Sequence, residues 1–475
     1  MAQRIKPAPR LPPAGASPCG NGRIVLIVRP RPAAPPRPAG SCGPPISDLP
    51  VTDPAALLRF IDASPSPYHA ILAAKALLEG AGFRERREGD RWTVEPGQAY
   101  FTVRGGKTIV AWRQGSRPVA EAGFHIVAAH SDSPVLKLRP RPGLRVGEVG
   151  YLTTAIYGSP LLHTWLDRDL CLAGAVYLAD DGPSPRIVHA PDLKLRALSL
   201  APHLRRGMKA EGLVIDMQKD LPLIFTEGAE DTVTQLFERL GFDQRQVLAF
   251  DLSLADTQPG ALVGQAQSFI SAPRLDNLFS TYCALSALVG TAADREHTSV
   301  AAIYDSEEIG SQTWTGAGSN VLDAVLQRLN NASGGDVEDL LRAKARSVLV
   351  SADMAHGEHP SFTEATDPVH VPRLNKGLAI KSGERGNYAM GHDAAAWFEA
   401  VCRGAGLTPQ RFMYRCDHGG GSSVGPIIST GLGVSGVDVG AGMIGMHSIR
   451  ELAGAQDVAL SIRAFSAFLA APGHP

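Results

Sequence analysis

Phe124-His125-Ile126-Val127-Ala128-Ala129-His130-Ser131-Asp132 is the stretch that decides the fold. Residues 124–129 form a short, nearly continuous apolar run, the pattern of a strand buried on both faces because helices cover both sides of a parallel sheet. Similar runs recur at 300–304, 348–350 and 434–439, and between them Leu278, Tyr282, Leu285 and Leu288 follow helical spacing. Strands alternating with helices predict an α/β fold, a doubly wound sheet with helices on both faces. Upstream, 55–61 and 68–78 are apolar at helical spacing on either side of Ser64-Pro65-Ser66-Pro67, which predicts two N-terminal helices. The interval 134–265 differs: short alternating segments such as 170–178, broken by Gly-rich turns, predict a β-rich domain inserted into a core made of 49–133 and 266–475.

Across 475 residues, 46 basic side chains meet 47 acidic ones, a formal charge of −1. That balance joins two unlike pieces. Residues 1–47 hold Lys6, six arginines, no acid and 12 of the 36 prolines, so this tail is +7 and the rest −8. A mildly acidic folded part does not suggest a nucleic-acid-binding surface. The tail, 1–48, is expected to be disordered, or to be translation from a start codon upstream of the natural one. Its proline density argues against the amphipathic helix of an organelle transit peptide. Six cysteines without a CxxC pair form neither a disulfide framework nor a zinc-thiolate site, so a cytoplasmic, reducing location is expected. No apolar run approaches the ~18–20 residues of a membrane helix, and 24–28 is too short for a secretory core.

Ligands in open α/β sheets bind outside the carboxyl ends of the strands. There the sequence places His130-Ser131-Asp132, Asp305-Ser306-Glu307-Glu308, Ser351-Ala352-Asp353 and, past a Gly-rich loop, His447; Asp276 opens a helix beginning at Arg274. Taken singly, an acid at a strand end is usually a helix cap and a lone histidine a hydrogen-bonded structural residue. Six such positions after consecutive strands form a pattern. Two imidazoles with carboxylates and no cysteine suit zinc, manganese or cobalt, and the acids outnumber what one tetrahedral ion needs. A co-catalytic pair roughly 3.5–4 Å apart would polarise a carbonyl and lower the pKa of a shared water to about 7. Glu307-Glu308 then offers one ligand and one general base, and Asp132 could orient His130.

Other residues are expected to do less. His356 and His359 are near enough to Asp353 to touch substrate or merely to border the site; His125, inside a strand, is structural. Ser448-Ile449-Arg450-Glu451 reads as a capping box opening the last helix, with Val458, Ile462, Phe465 and Leu469 in the core. The glycine runs 419–421 and 440–445 lack phosphate-loop spacing and are expected to permit close backbone approach.

Together, Ala129-His130-Ser131-Asp132-Ser133-Pro134, Arg274-Leu275-Asp276-Asn277-Leu278, Asp305-Ser306-Glu307-Glu308-Ile309-Gly310, Ser351-Ala352-Asp353-Met354-Ala355-His356 and Gly445-Met446-His447-Ser448-Ile449-Arg450-Glu451 resemble the M18 family of metallo-aminopeptidases, the aspartyl aminopeptidases. The resemblance runs in order from about residue 49 to the C-terminus. It implies a zinc-exopeptidase domain with an inserted dimerisation domain, assembled as tetrahedral dodecamers, acting on peptides with acidic N-terminal residues. It further implies two zinc ions per subunit bridged by Asp276, with His130 and Asp353 on one, Glu308 and His447 on the other, and Glu307 as base. His163, in the His163-to-Leu170 segment, would reach a neighbouring subunit's pocket, and Lys381 and Tyr388 would contact substrate. Asp417-His418-Gly419-Gly420-Gly421-Ser422-Ser423 and Glu384-Arg385-Gly386-Asn387-Tyr388 depart from the family pattern without touching a ligand or the base. The competing readings are another dizinc amidohydrolase, an N-acyl amino-acid deacylase or carboxypeptidase, and a non-catalytic assembly protein of the same fold.

Overall fold

Four parallel strands, Thr298–Tyr304, Phe124–His130, Val348–Ala352 and Ser435–Ile444, lie side by side at the centre of the large sheet in a computed structural model of the chain. The structure describes residues 52–473 apart from 180, 181, 183, 206–211 and 229; the tail 1–48 lies outside the described residues. Side chains alternate across the sheet as strand geometry requires. Ile126, Ala128, Val300 and Ala302 enter one apolar layer with the helices Val321–Ala332 and Val424–Leu432. Val127, Ala129, Ala301 and Ile303 enter the other, beneath Pro54–Asp62, Pro67–Gly80, Leu275–Val289, His392–Gly404 and Gln456–Ala470. The sheet is therefore doubly wound, with helices on both faces, and both N-terminal helices form. Asp53 caps the first, its carboxylate accepting the Ala55 N–H at 2.8 Å.

Antiparallel strands extend the sheet on either side: Ala99–Arg104 and Thr108–Arg113 beyond one edge of the parallel set, Glu451–Gly454, Phe269–Ala272 and Ala261–Val263 beyond the other. Six further strands, from Val135–Val146 to Val247–Asp256, close into a barrel with its own apolar interior around Leu136, Leu172, Leu223, Leu236 and Leu254. A shared ionic cluster joins barrel and sheet. Lys137 pairs with Asp251 at 2.6 Å, and Lys107 pairs with Asp305 at 2.9 Å and Asp251 at 3.7 Å.

Three local expectations need correction. Ser448–Glu451 is not a capping box: 448–450 form a bend, Glu451 starts the strand Glu451–Gly454, and the last helix is Gln456–Ala470. Pairing with strands on both sides, settled by distant residues, overrides the local cap signal. The core positions of that helix are as expected, with Val458, Ile462, Phe465 and Leu469 all buried. The glycine-rich stretch is mostly strand rather than loop, since Ser435–Ile444 runs through Gly440 and Gly442. Finally, Asp276 does not simply open a helix: it and Asn277 have non-helical backbone angles at the start of Leu275–Val289.

Candidate active site

Register fixes which side chains meet. His130 lies level with Tyr304 on the neighbouring strand, so the turn bearing Glu307 and Glu308 follows at the same edge, and Asp353 directly follows Ala352, which is level with Val439. His447 arrives from the turn after Ser435–Ile444 with a positive φ of 68°. Asp276 lies between the two imidazoles: its Oδ1 is 3.4 Å from His130 Nε2 and its Oδ2 is 3.6 Å from His447 Nε2. Each imidazole has a further carboxylate beside it, Asp353 Oδ1 at 3.6 Å from His130 and Glu308 Oε2 at 3.5 Å from His447. Glu307 Oε2 stands at 3.9 Å from His130 Nε2.

Asp132 holds this group from behind. Its two oxygens accept the N–H groups of Glu307 and Glu308, both at 3.1 Å, and the Tyr157 hydroxyl donates to it at 2.8 Å. His130 Nδ1 lies 3.1 Å from the Asp132 backbone carbonyl and 3.4 Å from its Oδ1. On the other side, His447 Nδ1 is 3.0 Å from the Ser159 carbonyl, and the His447 carbonyl accepts the Leu161 N–H at 2.9 Å. Behind Asp276 stands Glu451, whose carboxylate accepts the N–H of His447 at 2.8 Å and that of Asp276 at 3.1 Å. Tyr157 and Ser159 are not singled out by the sequence, and Glu451 enters it only as a helix cap and as the end of the His447 motif. Only Glu451 carried a signal, an acid four residues past His447, and the cap reading absorbed it.

A cleft of about 380 Å³ opens onto Asp276, Glu307, Glu308, Asp353, His447, Lys381 and Tyr388. His130 lies beneath it, 1 % exposed. The Lys381 ammonium is buried and already paired, 3.1 Å from Asp353 Oδ2 and 5.2 Å from the centre of the Tyr388 ring. His163 is exposed on the 3-10 turn Leu162–Thr164 and is not among the residues lining the cleft. His356 borders the cleft and, with His359, an adjoining pocket of about 590 Å³. His125 is buried and stacked on His297, 3.6 Å between ring centres.

Electrostatics separate the acids. Burial disfavours a charged His130, yet the carboxylates of Asp132, Asp276 and Asp353 outweigh it and raise its pKa well above the ordinary value. Burial would also raise Asp276, but the two imidazoles hold it well below the usual carboxylate range. Glu307 is pushed up to about 8, chiefly by burial, with His130 opposing and Asp353, Asp132 and Asp276 adding. Glu308 is raised well above its ordinary value by burial and then by Asp276. A surplus of acids over imidazoles in a poorly solvated place is what a cation neutralises. Two buried carboxylate oxygens, Asp276 Oδ1 and Glu308 Oε1, have no hydrogen-bond partner among the described residues. His130, Asp276 and Glu308 each offer a ligand atom within 4.8 Å of the others. The donor set therefore fits zinc.

Close packing keeps Asp353 in place. Its N–H donates to the Val439 carbonyl at 2.9 Å, and a Cβ on Gly440 would fall 1.8 Å from the Asp353 carbonyl oxygen. Gly440→Ala is expected to displace the Asp353 turn, costing about 1–3 kcal/mol of stability as overpacking does. Loss of bound zinc beyond that of a core control of equal melting temperature would tie the effect to Asp353.

A parallel sheet whose strand ends gather imidazoles and carboxylates around a cleft defines a metallohydrolase. The profile of the aminopeptidase I zinc metalloprotease (M18) family matches residues 60–469, and the chain belongs to that M18 family of metallo-aminopeptidases. A probable M18 family aminopeptidase 2 of Mycobacterium tuberculosis H37Rv is 41% identical over 425 residues, covering 87% of this chain and 97% of its own length. The Streptomyces coelicolor protein of the same name is 39% identical over 420 residues, 87% of this chain and 96% of its own. Among solved structures, Ape4 in its complex with Nbr1 superimposes with a TM-score of 0.83 at 31% identity, covering 88% of this chain and 85% of its own. The mApe1 dodecamer of S. cerevisiae gives 0.76 at 27% identity, with 87% and 95% covered. No helix among the described residues is long and apolar enough to cross a membrane.

Proposed function

We propose that this metallo-aminopeptidase uses two zinc ions and removes acidic residues, Asp or Glu, from peptide N-termini. One observation carries the reading: the two oxygens of Asp276 face different imidazoles, at 3.4 and 3.6 Å, and each imidazole has one more carboxylate of its own. That is two donor sets sharing one acid, His130 with Asp353 and His447 with Glu308. Zinc bound there would polarise the scissile carbonyl and make a nearby water more acidic. Manganese or cobalt would suit the same donors. Glu307, at the cleft wall and outside both sets, takes the proton of the attacking water and returns it to the leaving amine. Asp132 keeps that side chain aimed by holding the Glu307 and Glu308 backbone.

Lys381, whose ammonium rests on Asp353 at 3.1 Å, and Tyr388 beside it line the cleft as the residues to meet an acidic first side chain, which would share that ammonium with Asp353. Exposed His163 is available to a second copy, and the mApe1 dodecamer supports a homo-oligomer; we read residues 134–265 as its dimerisation domain on a catalytic core of 49–133 and 266–475. The four described cysteines are all free, in keeping with a reducing cytoplasm.

A panel of aminoacyl chromogenic substrates tests the reading. Chelated protein is expected to be inactive and zinc-restored protein to favour Asp and Glu, and an N-acetylated peptide should be refused. Cleavage of the blocked peptide at the free-amine rate would make the chain a deacylase or other amidohydrolase instead. An even profile across first residues would remove the acidic preference.

A further inference from the structure

Glu451 is 3 % exposed and has a place but no part in the chemistry above. It projects from the strand Glu451–Gly454, which is held on one side by Phe269–Ala272 and on the other by Ser435–Ile444, so its backbone is fixed from both flanks. Its two oxygens are divided between two separate segments, Oε1 on the His447 N–H at 2.8 Å and Oε2 on the Asp276 N–H at 3.1 Å. The two recipients differ in backbone: His447 is left-handed, with a φ of 68°, and Asp276 is extended where a helix begins. L-residues occupy the left-handed region sparsely, and such conformations persist only where surroundings impose them. Asp276 is gripped from the opposite side as well, since its carbonyl accepts the Ser133 hydroxyl at 2.5 Å.

We propose that Glu451 is a positioning residue of the metal site, a carboxylate that sets the separation of Asp276 and His447 through their backbone N–H groups. Rotation of either segment would turn its side chain out of the cluster, so the two ligands are presented at a fixed spacing before any ion arrives. A neutral amide cannot replace it, because its NH₂ end would point a donor at one of the two N–H groups. The role rests on the reading of Asp276 and His447 as zinc ligands.

Zinc affinity, measured by competition with a chromogenic chelator, tests this on wild type, Glu451→Gln and Glu451→Asp, beside the melting temperature of each zinc-stripped protein and the kcat and KM of each loaded one. Glu451→Gln preserves volume but sets its NH₂ against one of two buried N–H groups, so the stripped variant is expected to fold and to melt modestly below wild type. Its zinc affinity should fall about 10–100-fold, the usual effect of losing a group that orients a ligand, and kcat should fall with KM little changed. Glu451→Asp, which keeps both carboxyl oxygens but is one methylene short, should recover part of the loss. Zinc binding by Glu451→Gln as tight as wild type overturns the role, as does failure of both variants to fold without zinc, which would make Glu451 a determinant of the fold. A wild type that takes no zinc overturns the metal reading beneath it instead.

Discussion

Glu307→Gln is expected to lower kcat by about 10²–10⁴-fold, the span a positioned general base supplies, while bound zinc changes by less than about twofold. The two adjacent acids are distinguished by where they sit. The Glu308 side chain is 5 % exposed and 3.5 Å from His447; the Glu307 side chain is 14 % exposed and no closer than 3.9 Å to His130. Glutamine keeps the volume of Glu307 and leaves untouched the backbone N–H that Asp132 accepts. What it loses is an oxygen able to take a proton. Metal analysis beside turnover on an Asp-terminated substrate reads both quantities. Near-wild-type turnover would remove Glu307 as the base, and loss of zinc in proportion to activity would make it a ligand.

On the proposed reading of Asp276 as a carboxylate shared by two ions, Asp276→Ala is expected to reduce turnover to the level of chelated protein and zinc content from about two ions per chain to one or fewer. The substitution isolates the side chain unusually well. The Asp276 backbone is held by Glu451 at its N–H and by Ser133 at its carbonyl, and Asn277 Nδ2 is anchored on the Ala352 carbonyl at 2.8 Å. The chain path should therefore survive while the carboxylate between the imidazoles disappears. Zinc content after gel filtration gives the result, and retention of about two ions per chain would refute the bridging arrangement.

The parts of the molecule legible in the sequence are those whose cause is local or periodic. Residues 124–129 and 300–304 announce themselves because both faces of their strands are covered, and His130, Asp353 and the Glu307–Glu308 pair are findable because chemistry in such sheets collects at strand ends. The supports are a different matter. Tyr157 and Ser159 are ordinary residues at the end of a barrel strand, and only the packing of that barrel against the sheet brings them to Asp132 and His447. Glu451 misled because Ser-x-x-Glu followed by an apolar run satisfies a helix cap equally well, and the four-residue strand it opens exists only through neighbours far along the chain. Gly440 to Gly445 looked like a loop because glycine weakens strands; at Gly440 the missing side chain admits the Asp353 carbonyl instead. Lys381 is matched to substrate by the family resemblance, and its ion pair with Asp353 is not visible without the fold.

The contacts from Tyr157 and Ser159 have a consequence for the order in which the protein is made. His130 leaves the ribosome early, but the hydroxyl that steadies Asp132 and the carbonyl that steadies His447 belong to the barrel, and His447 itself comes near the end of the chain. A nascent chain therefore carries a dormant half-site for most of its synthesis. The site can be assembled only once the segment bearing His447 and Glu451 has been made and has joined the large sheet.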